Sequence, residues 1–296
     1  MINNIDAYLY QLKKELAGCD RATIQDALSD AEEYIRNAMD NAGVSQPGVP
    51  AESVFPTIVE QYGSPAEVAE AYKKIEARSS PSLFARPAQR QPSAAGRFFG
   101  VVMDLRSWGA ILYFLFALAT GIFYFTWTVT GISLSLGLLI LVIGIPLAGL
   151  FILSTRGLAL LEGRLVEALL GVRMPRRPLF SPRSQGLWAK FTALISDRYS
   201  WFSLAYFILM LPLGIIYFTV FVTLLAVSLF LVVSPILEFG FGVPIFVIND
   251  ALYYVSAWMM PIVMIVGGLL FILTLHLAKF TGYLHGRLAK AMLVRD

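Results

Sequence analysis

Few residues of this sequence have the type and spacing that chemistry needs. The chain contains no HExxH, GxSxG or P-loop motif and no pair of carboxylates at a catalytic spacing. Cys19 is the single cysteine, which excludes a disulfide framework and a cysteine-based metal site. His276 and His285 have no histidine or cysteine partner, so we interpret them as residues at a membrane interface. We therefore expect no catalytic residue, no metal site and no cofactor, and we interpret the protein as a non-enzyme.

Polar side chains inside apolar stretches are the candidate ligand-binding residues. They are Tyr124, Thr126, Thr130, Tyr217, Thr219 and Thr223. A polar group inside a membrane segment points to function. Two alternatives stay open: the threonine hydroxyls bond back to carbonyls of their own helices, or the tyrosines belong to an aromatic belt at the outer membrane surface. Glu238 and Asp250 flank an apolar loop, either as solvated loop ends or as contacts for an extracytoplasmic signal.

The stretch that carries these residues occurs twice in the chain. Ser107–Thr130 aligns without a gap with Ser200–Thr223, which pairs Trp108 with Trp201, Tyr113 with Tyr206, Phe114 with Phe207, Gly121 with Gly214 and Tyr124 with Tyr217. Farther on, Gly163-Arg164-Leu165 corresponds to Gly286-Arg287-Leu288. The sequence therefore predicts an internal repeat, each copy an apolar hairpin followed by an amphipathic tail. Because small residues let membrane helices approach closely, we expect helix packing at Gly121 and Gly214.

Composition divides the chain into an acidic part and a basic, apolar part. Hydrophobic residues make up 57% of the chain and charged residues 15%, against roughly 25% charged residues in an ordinary soluble domain. Residues 1–78 carry a net charge of −6, whereas residues 79–296 carry +9 and nearly all the long apolar runs. This asymmetry predicts a small soluble domain joined to a membrane domain.

The apolar runs are long enough for four membrane spans. At ~20 residues per span, they predict helices at about 108–130 and 134–154, a third within 198–238 and a fourth at about 256–278. Lys and Arg are concentrated between the second and third spans and after the fourth. The sequence therefore predicts a multi-pass protein of the cell (inner) membrane with both termini and the central loop in the cytoplasm. Each copy would then start and end in the cytoplasm, so we expect two parallel hairpin repeats that are related by an axis along the membrane normal.

The first 78 residues predict a compact unit of four helices. Apolar residues recur at helical spacing, as in Leu9, Leu12 and Leu16 in the first helix and Val68, Tyr72 and Ile75 in the last. The last helix begins at Ser64-Pro65-Ala66-Glu67, which combines an N-cap serine, a proline at the first helical position and a capping-box glutamate.

This N-terminal unit resembles a known signalling domain. A Tyr-Leu first helix (Tyr8, Leu9, Leu12), an acidic second helix (Asp26, Asp30, Glu32, Glu33) and the turn Tyr62-Gly63-Ser64-Pro65 with Ala69 are similar to the HAAS domain. The resemblance covers about residues 4–78. It implies a helical signalling module of the kind found beside helix-turn-helix regulators in bacteria and archaea.

The membrane half resembles a second family. Arg156-Gly157-Leu158-Ala159, Glu162-x-Arg164-Leu165 and Ala168-Leu169-Leu170-Gly171-Val172 are similar to the Putative sensor domain family, over about residues 98–296. In that family a four-helix membrane region often precedes a histidine kinase core. No kinase, receiver or DNA-binding segment follows here, so we expect output through the N-terminal domain or a separate protein.

These observations predict an all-α protein in three parts. Residues 1–78 form the HAAS-like domain, 79–106 a flexible basic linker that either contacts anionic lipid headgroups or is a solvated spacer, and 107–296 the membrane domain. Within it, repeat 1 covers about 107–173 and repeat 2 about 200–296.

The predicted function is membrane signalling, from the envelope or membrane to a cytoplasmic regulator. The alternative is a transporter or permease component, against which the absence of charged residues from the predicted spans counts. The expected partners are the lipid bilayer and a helix-turn-helix regulator or histidine kinase in trans, without direct nucleic-acid binding; a homo-oligomer is left open.

Overall fold

The structure is a computed structural model of the 296-residue chain. It describes residues 4–45, 51–78, 93–141, 144–176, 196–243, 246–248, 251–254 and 256–294. Residues 79–92 of the predicted linker and Asp250 lie outside these ranges.

The described residues form nine α-helices and one short β-hairpin. The helices are α1 (Ile5–Glu15), α2 (Arg21–Ser45), α3 (Ala51–Tyr62), α4 (Pro65–Arg78), α5 (Ala94–Phe99), α6 (Leu105–Gly137), α7 (Gly144–Leu165), α8 (Arg198–Phe241) and α9 (Met260–Leu293). Short 3₁₀ turns cover Gly100–Met103 and Leu138–Leu141, and a π-helical turn, Val166–Leu170, continues α7. The strands β1 (Phe246–Ile248) and β2 (Ala251–Tyr253) pair antiparallel, with Val247 opposite Leu252. The predicted all-α class is confirmed, and this hairpin is the part of the described chain that departs from it.

Helices α1–α4 pack around one apolar core. Its buried side chains are Tyr8, Leu12, Leu16, Ala27, Ala31, Ile35, Phe55, Ile58 and Ala69. Most of the apolar residues predicted at helical spacing face this core, but Ile75 is 51% exposed. Helix α4 turns Ala69 toward this core and Ile75 away from it.

The N-terminus of α4 forms a reciprocal cap. The backbone N–H and the hydroxyl of Ser64 both donate to Glu67 Oε2 at 2.8 Å, and the Glu67 N–H lies 3.4 Å from Ser64 Oγ. Backbone N–H groups at the start of a helix have no partner within the helix, so this exchange stabilises the turn between α3 and α4.

Four helices are long and apolar enough to cross a membrane: α6, α7 with its π-helical turn, α8 and α9. Helix α7 continues without a break through Arg156 and Glu162, and α9 through His285. The amphipathic tails of the two hairpins are therefore continuations of the membrane helices. Glu238, predicted at a loop end, lies in the last turn of α8 and is buried.

The last part of the predicted linker is helical. Ser93 caps α5, with its Oγ accepting from the Gly96 N–H at 3.2 Å. Phe98 stacks on the His276 ring with 5.5 Å between centroids, and the Phe98 carbonyl lies 3.1 Å from His276 Nε2. Within the predicted linker, residues 94–103 are therefore helical, and Phe98 packs against α9.

Helices α6 and α8 run in opposite directions along each other. Phe114 lies against Tyr217 and Phe221 with ring centroids 4.7 and 4.5 Å apart, whereas Tyr124 lies against Phe207 at 4.5 Å. As the residue number rises along α6, the number of its partner on α8 falls, which defines an antiparallel pair. The predicted parallel relation between the two hairpins is therefore wrong, because corresponding residues in a repeat do not fix the direction of the axis that relates them.

Candidate functional site

Each of the four long helices contributes to one buried polar cluster. The cluster consists of Tyr113 and Tyr124 from α6, Glu162 from α7, Tyr206 and Tyr217 from α8, and His285 from α9. Glu162 is fully buried and His285 is 1% exposed. We call these six residues the Glu–His cluster.

Glu162 accepts hydrogen bonds from three tyrosines. Tyr113 and Tyr206 donate to Oε1 at 2.5 and 2.9 Å, and Tyr124 donates to Oε2 at 2.9 Å. A buried carboxylate without such partners would lose several kcal/mol relative to water. The three phenol donors replace the water that burial removes.

His285 is held by three hydroxyls on its two ring nitrogens. Its Nε2 lies 2.6 Å from the Tyr113 hydroxyl and 3.0 Å from the Tyr206 hydroxyl, and its Nδ1 lies 3.3 Å from the Tyr217 hydroxyl. Tyr113 and Tyr206 therefore bridge the carboxylate and the imidazole, which makes a continuous network across all four helices.

Glycines bring the helices close enough for this network to form. A Cβ built on Gly121 would clash with the Met210 carbonyl, and a Cβ on Gly214 would clash with the Ala117 carbonyl. Close approach at small residues is usual between membrane helices. The close crossing lies between the tyrosine positions, so Tyr113 and Tyr217 reach the cluster from one side of it and Tyr124 and Tyr206 from the other.

Several contacts of the two hairpins occur in pairs. Asp104 caps α6 and forms an ion pair with Lys279 of α9 at 2.6 Å, and Asp197 caps α8 and forms an ion pair with Arg156 of α7 at 2.6 Å. Glu162 and His285 directly precede the two matching Gly-Arg-Leu segments. These paired contacts are the ones expected if a twofold axis that runs across α6 and α8 relates the two hairpins. The internal repeat itself stays a prediction.

The predicted ligand-binding residues do not form one site. Tyr124 and Tyr217 turn inward to the Glu–His cluster, whereas Thr126, Thr130, Thr219 and Thr223 are exposed. Because α6 and α8 are antiparallel, residues 124–130 and 217–223 lie on opposite sides of the helix crossing. Ligand binding by these six residues stays a prediction.

Sequence reasoning missed Glu162 and His285 as partners. His285 was interpreted as an interfacial residue and Glu162 as part of a tail outside the spans, but both lie in continuous membrane-length helices. Their equivalent positions before Gly163 and Gly286 are the one sequence signal that could have paired them.

An apolar cavity of about 430 Å³ lies between α6 and α7, toward the hairpin tip. It is lined by Trp127, Thr130, Gly131, Leu134, Ser135, Leu147, Leu150, Phe151 and Ser154. The Trp127 indole N–H donates to Ser154 Oγ at 3.2 Å. Ser135 Oγ is buried and has no hydrogen-bond partner among the described residues. Among the predicted ligand residues, Thr130 lines this cavity.

The N-terminal unit contacts the membrane half through the start of α2. Asp26, 6% exposed, accepts a hydrogen bond from the Arg176 backbone N–H at 2.7 Å. Asp20 caps α2 through the Ala22 N–H at 2.9 Å and also binds the Lys290 ammonium near the end of α9. We call these two contacts the docking contacts.

The thiol beside the docking contacts is not activated. Burial, with the nearby Glu76 carboxylate, raises the pKa of the Cys19 thiol. A nucleophilic or metal-binding cysteine needs the opposite, a lowered pKa. In the part of the chain that the structure describes, no group of three or more His, Cys, Asp and Glu residues could hold a metal ion.

The comparisons with known proteins assign both halves to families. Residues 7–71 match the HAAS family, and residues 113–293 match the Sensor family, described as "Putative sensor". No curated protein and no solved structure matches the chain. The sensor match covers more than half of the chain and contains all six residues of the Glu–His cluster. The chain therefore belongs to the Putative sensor family and carries a HAAS domain before its four membrane-length helices.

Proposed function

We propose that this chain is a membrane-embedded signalling protein that passes an envelope or membrane signal to a cytoplasmic regulator through its HAAS domain. The two family matches indicate a sensor or signalling role in general. The observation that carries the specific proposal is the pair of docking contacts, which join α2 to the ends of both hairpins. A change in the membrane helices would reach the HAAS domain through Arg176 and Lys290.

The path from the Glu–His cluster to the docking contacts is short. Gly286, next to His285, packs directly on Val172, and Gly163, next to Glu162, packs on Met174. Met174 is 1% exposed and lies two residues before Arg176. A shift of either Glu162 or His285 therefore moves the segment 172–176 that holds Asp26.

Substitution of Lys290 tests whether the membrane helices and the HAAS domain are coupled through the docking contacts. Lys290→Gln removes the charge that binds Asp20, so amide hydrogen exchange in the first half of α2 should become faster in the full-length protein in lipid nanodiscs. Arg287→Gln on the same helix is the matched control, because Arg287 is exposed and contacts Tyr283 instead. Unchanged exchange of α2 in Lys290→Gln would show that these contacts do not connect the two halves.

The cellular consequence separates signalling from other roles. Transcript profiles of cells expressing Lys290→Gln should differ from those with the unmodified protein, and profiles with Arg287→Gln should not. Identical profiles in all three strains would contradict the signalling function.

We propose a helix-turn-helix regulator or a histidine kinase in trans as the receiving partner. We also propose a non-enzymatic role, since the groups of the Glu–His cluster are engaged with one another.

The proposed location is the cell (inner) membrane, with the HAAS domain and the ends of α7 and α9 in the cytoplasm. The Lys/Arg distribution supports this side, and the docking contacts require these three parts to share one side. Four complete spans with both hairpin tips outside would need α6 and α8 to be parallel, and they are antiparallel. The antiparallel pair places the two hairpin tips at opposite ends of the bundle, so we propose that the tips lie on different sides of the membrane.

Transport is the second candidate, because one observation now favours it. An acidic residue and a histidine buried among membrane helices are the groups that proton-coupled carriers use, and the argument against transport from charge-free spans no longer holds. Proteoliposomes with an enclosed pH-sensitive dye should show proton flux for the unmodified protein and none for Glu162→Gln if transport is the function. Signalling alone predicts no flux in either.

A further inference from the structure

The hydrogen bonds of the Glu–His cluster determine where its protons lie. Each tyrosine hydroxyl carries one proton, and Glu162 uses those of Tyr113, Tyr124 and Tyr206. The oxygens of Tyr113 and Tyr206 can then only accept from His285. With all three hydroxyls donating to Glu162, the proton of the neutral imidazole lies on Nε2, which faces both of them.

The other ring nitrogen, Nδ1, contacts one hydroxyl of the cluster, and that hydroxyl can act either as a hydrogen-bond donor or as an acceptor. Nδ1 lies 3.3 Å from the Tyr217 hydroxyl. With a neutral ring, the hydroxyl donates to Nδ1; with a proton on Nδ1, the hydroxyl rotates and accepts from it. We propose that His285 Nδ1 is a reversible proton-binding site, at which one proton is taken up without loss of a hydrogen bond between His285 and its three tyrosines.

Burial distinguishes this position from the carboxylate. A proton on Glu162 would force one donating tyrosine to turn its own proton elsewhere, and Tyr113, Tyr124 and Tyr206 are each at most 3% exposed. Tyr217 is only partly buried, so its hydroxyl has more freedom to rotate than those of the other three tyrosines. The proton therefore goes to the imidazole side of the network.

The groups that face His285 include one carboxylate, whose negative charge attracts a proton on the ring. Tyr113 and Tyr124 come from α6, Glu162 from α7 and Tyr206 and Tyr217 from α8, and Gly286 of α9 faces the apolar Val172. Among the described residues that face His285, Glu162 is the one that carries a charge. Protonation changes the charge of the cluster from −1 to 0, and a neutral pair is easier to hold in a low-dielectric interior than a single charge.

Nitrogen-15 NMR of the full chain in lipid nanodiscs tests the site, because the protein has only two histidines. With His276→Gln, the remaining imidazole signals belong to His285. At high pH we expect the Nε2–H tautomer, and on acidification we expect conversion to the imidazolium while the helical circular dichroism is unchanged. The Nδ1–H tautomer at high pH, or a ring that stays neutral until helicity is lost, would overturn the proposal. Should His276→Gln not fold, the unmodified protein compared with His285→Gln assigns the same signals.

Replacement of Tyr217 tests the partner of the bound proton. Tyr217→Phe removes the acceptor of the protonated nitrogen, and a hydrogen bond to a charged group is strong enough to move the titration midpoint to lower pH by about one pH unit. Tyr283→Phe is the matched control, since Tyr283 lies on α9 half a turn from His285 and is exposed. A midpoint that is the same in Tyr217→Phe and in the unmodified protein would overturn the assignment to Nδ1.

Discussion

At the scale of single residues, the membrane half depends on a carboxylate with three phenol donors. The side chain of Glu162 is fully buried, so bulk water cannot reach it to replace a lost hydrogen bond. The tyrosines that surround it are equally enclosed, so a change at any one of them leaves a partner unpaired.

Glu162→Gln should destabilise the protein. The amide group cannot accept from three hydroxyls, so at least one buried tyrosine loses its acceptor, at a cost of about 1–3 kcal/mol. Thermal unfolding of the full chain in detergent should show a lower midpoint.

Thr126→Val is the control for this change. Thr126 is an exposed residue of α6 that the sequence nominated for ligand binding, and an exposed substitution costs within about 0.5 kcal/mol. Equal midpoints for Glu162→Gln and Thr126→Val would mean that the cluster does not stabilise the fold.

At the scale of elements, the close crossing of α6 and α8 is the contact on which the cluster is built. Gly121→Ala and Gly214→Ala each place a methyl group against a backbone carbonyl of the other helix, which cannot rotate away as a side chain can. Overpacking of this kind costs about 1–3 kcal/mol, so both variants should unfold at lower temperature. Gly157→Ala on α7 has open space around its Cβ and should be neutral or slightly stabilising, because alanine is the better helix former. Equal effects at all three glycines would contradict the close crossing.

The cap of α4 is the corresponding element-level contact in the HAAS domain. Ser64→Ala removes the hydrogen bond from the Ser64 hydroxyl to Glu67 Oε2 and the acceptor of the Glu67 N–H, and should cost about 1 kcal/mol. We expect a fragment of residues 1–78 to unfold cooperatively on heating and the Ser64→Ala fragment to unfold at a lower temperature. Glu70→Gln, which affects only an exposed pair with Lys74, should leave the midpoint nearly unchanged. A gradual melt of the unmodified fragment would show that this part does not fold alone.

The same cap predicts a dependence on pH. Hydrogen bonds from the backbone N–H and then the hydroxyl of Ser64 lower the pKa of the Glu67 carboxyl from its ordinary value. A carboxyl with a lower pKa in the folded state stabilises the fold above its unfolded-state pKa, about 4.3, and that stabilisation is lost as the pH falls through the folded-state value. The midpoint of the fragment should therefore fall more steeply below about pH 4.3 than that of Glu67→Gln. Parallel curves for the two would contradict the role of Glu67.

At the scale of the whole molecule, the antiparallel packing of α6 and α8 places the two hairpin tips at opposite ends of the bundle. After Cys19→Ser, single cysteines at Gly137 near the first tip and at Ser256 near the second can be probed in intact cells with an impermeant thiol reagent. We expect the reagent to label one tip and not the other. Labelling of both tips would support the parallel arrangement that the Lys/Arg distribution predicts.

Neighbouring residues along the chain are enough to specify the local structure of this protein. Helical spacing and the Ser64–Glu67 signal depend on neighbours within one turn, so the HAAS-domain helices and the cap of α4 could be predicted. Long apolar runs such as the one before Arg156 identify membrane-length helices by composition alone. Corresponding positions such as Gly121 and Gly214 could be found by aligning the chain with itself.

The way in which these elements pack depends on contacts between residues that are far apart in the chain. A repeat assigns Gly121 to Gly214 equally well when the axis runs along the helices and when it crosses them, so the direction of α8 relative to α6 cannot be derived from it. Glu162 and His285 lie 123 positions apart, and nothing local to either predicts that they share Tyr113 and Tyr206. The cluster exists because close packing at the glycines and burial from water bring these side chains together, and both are properties of the assembled bundle.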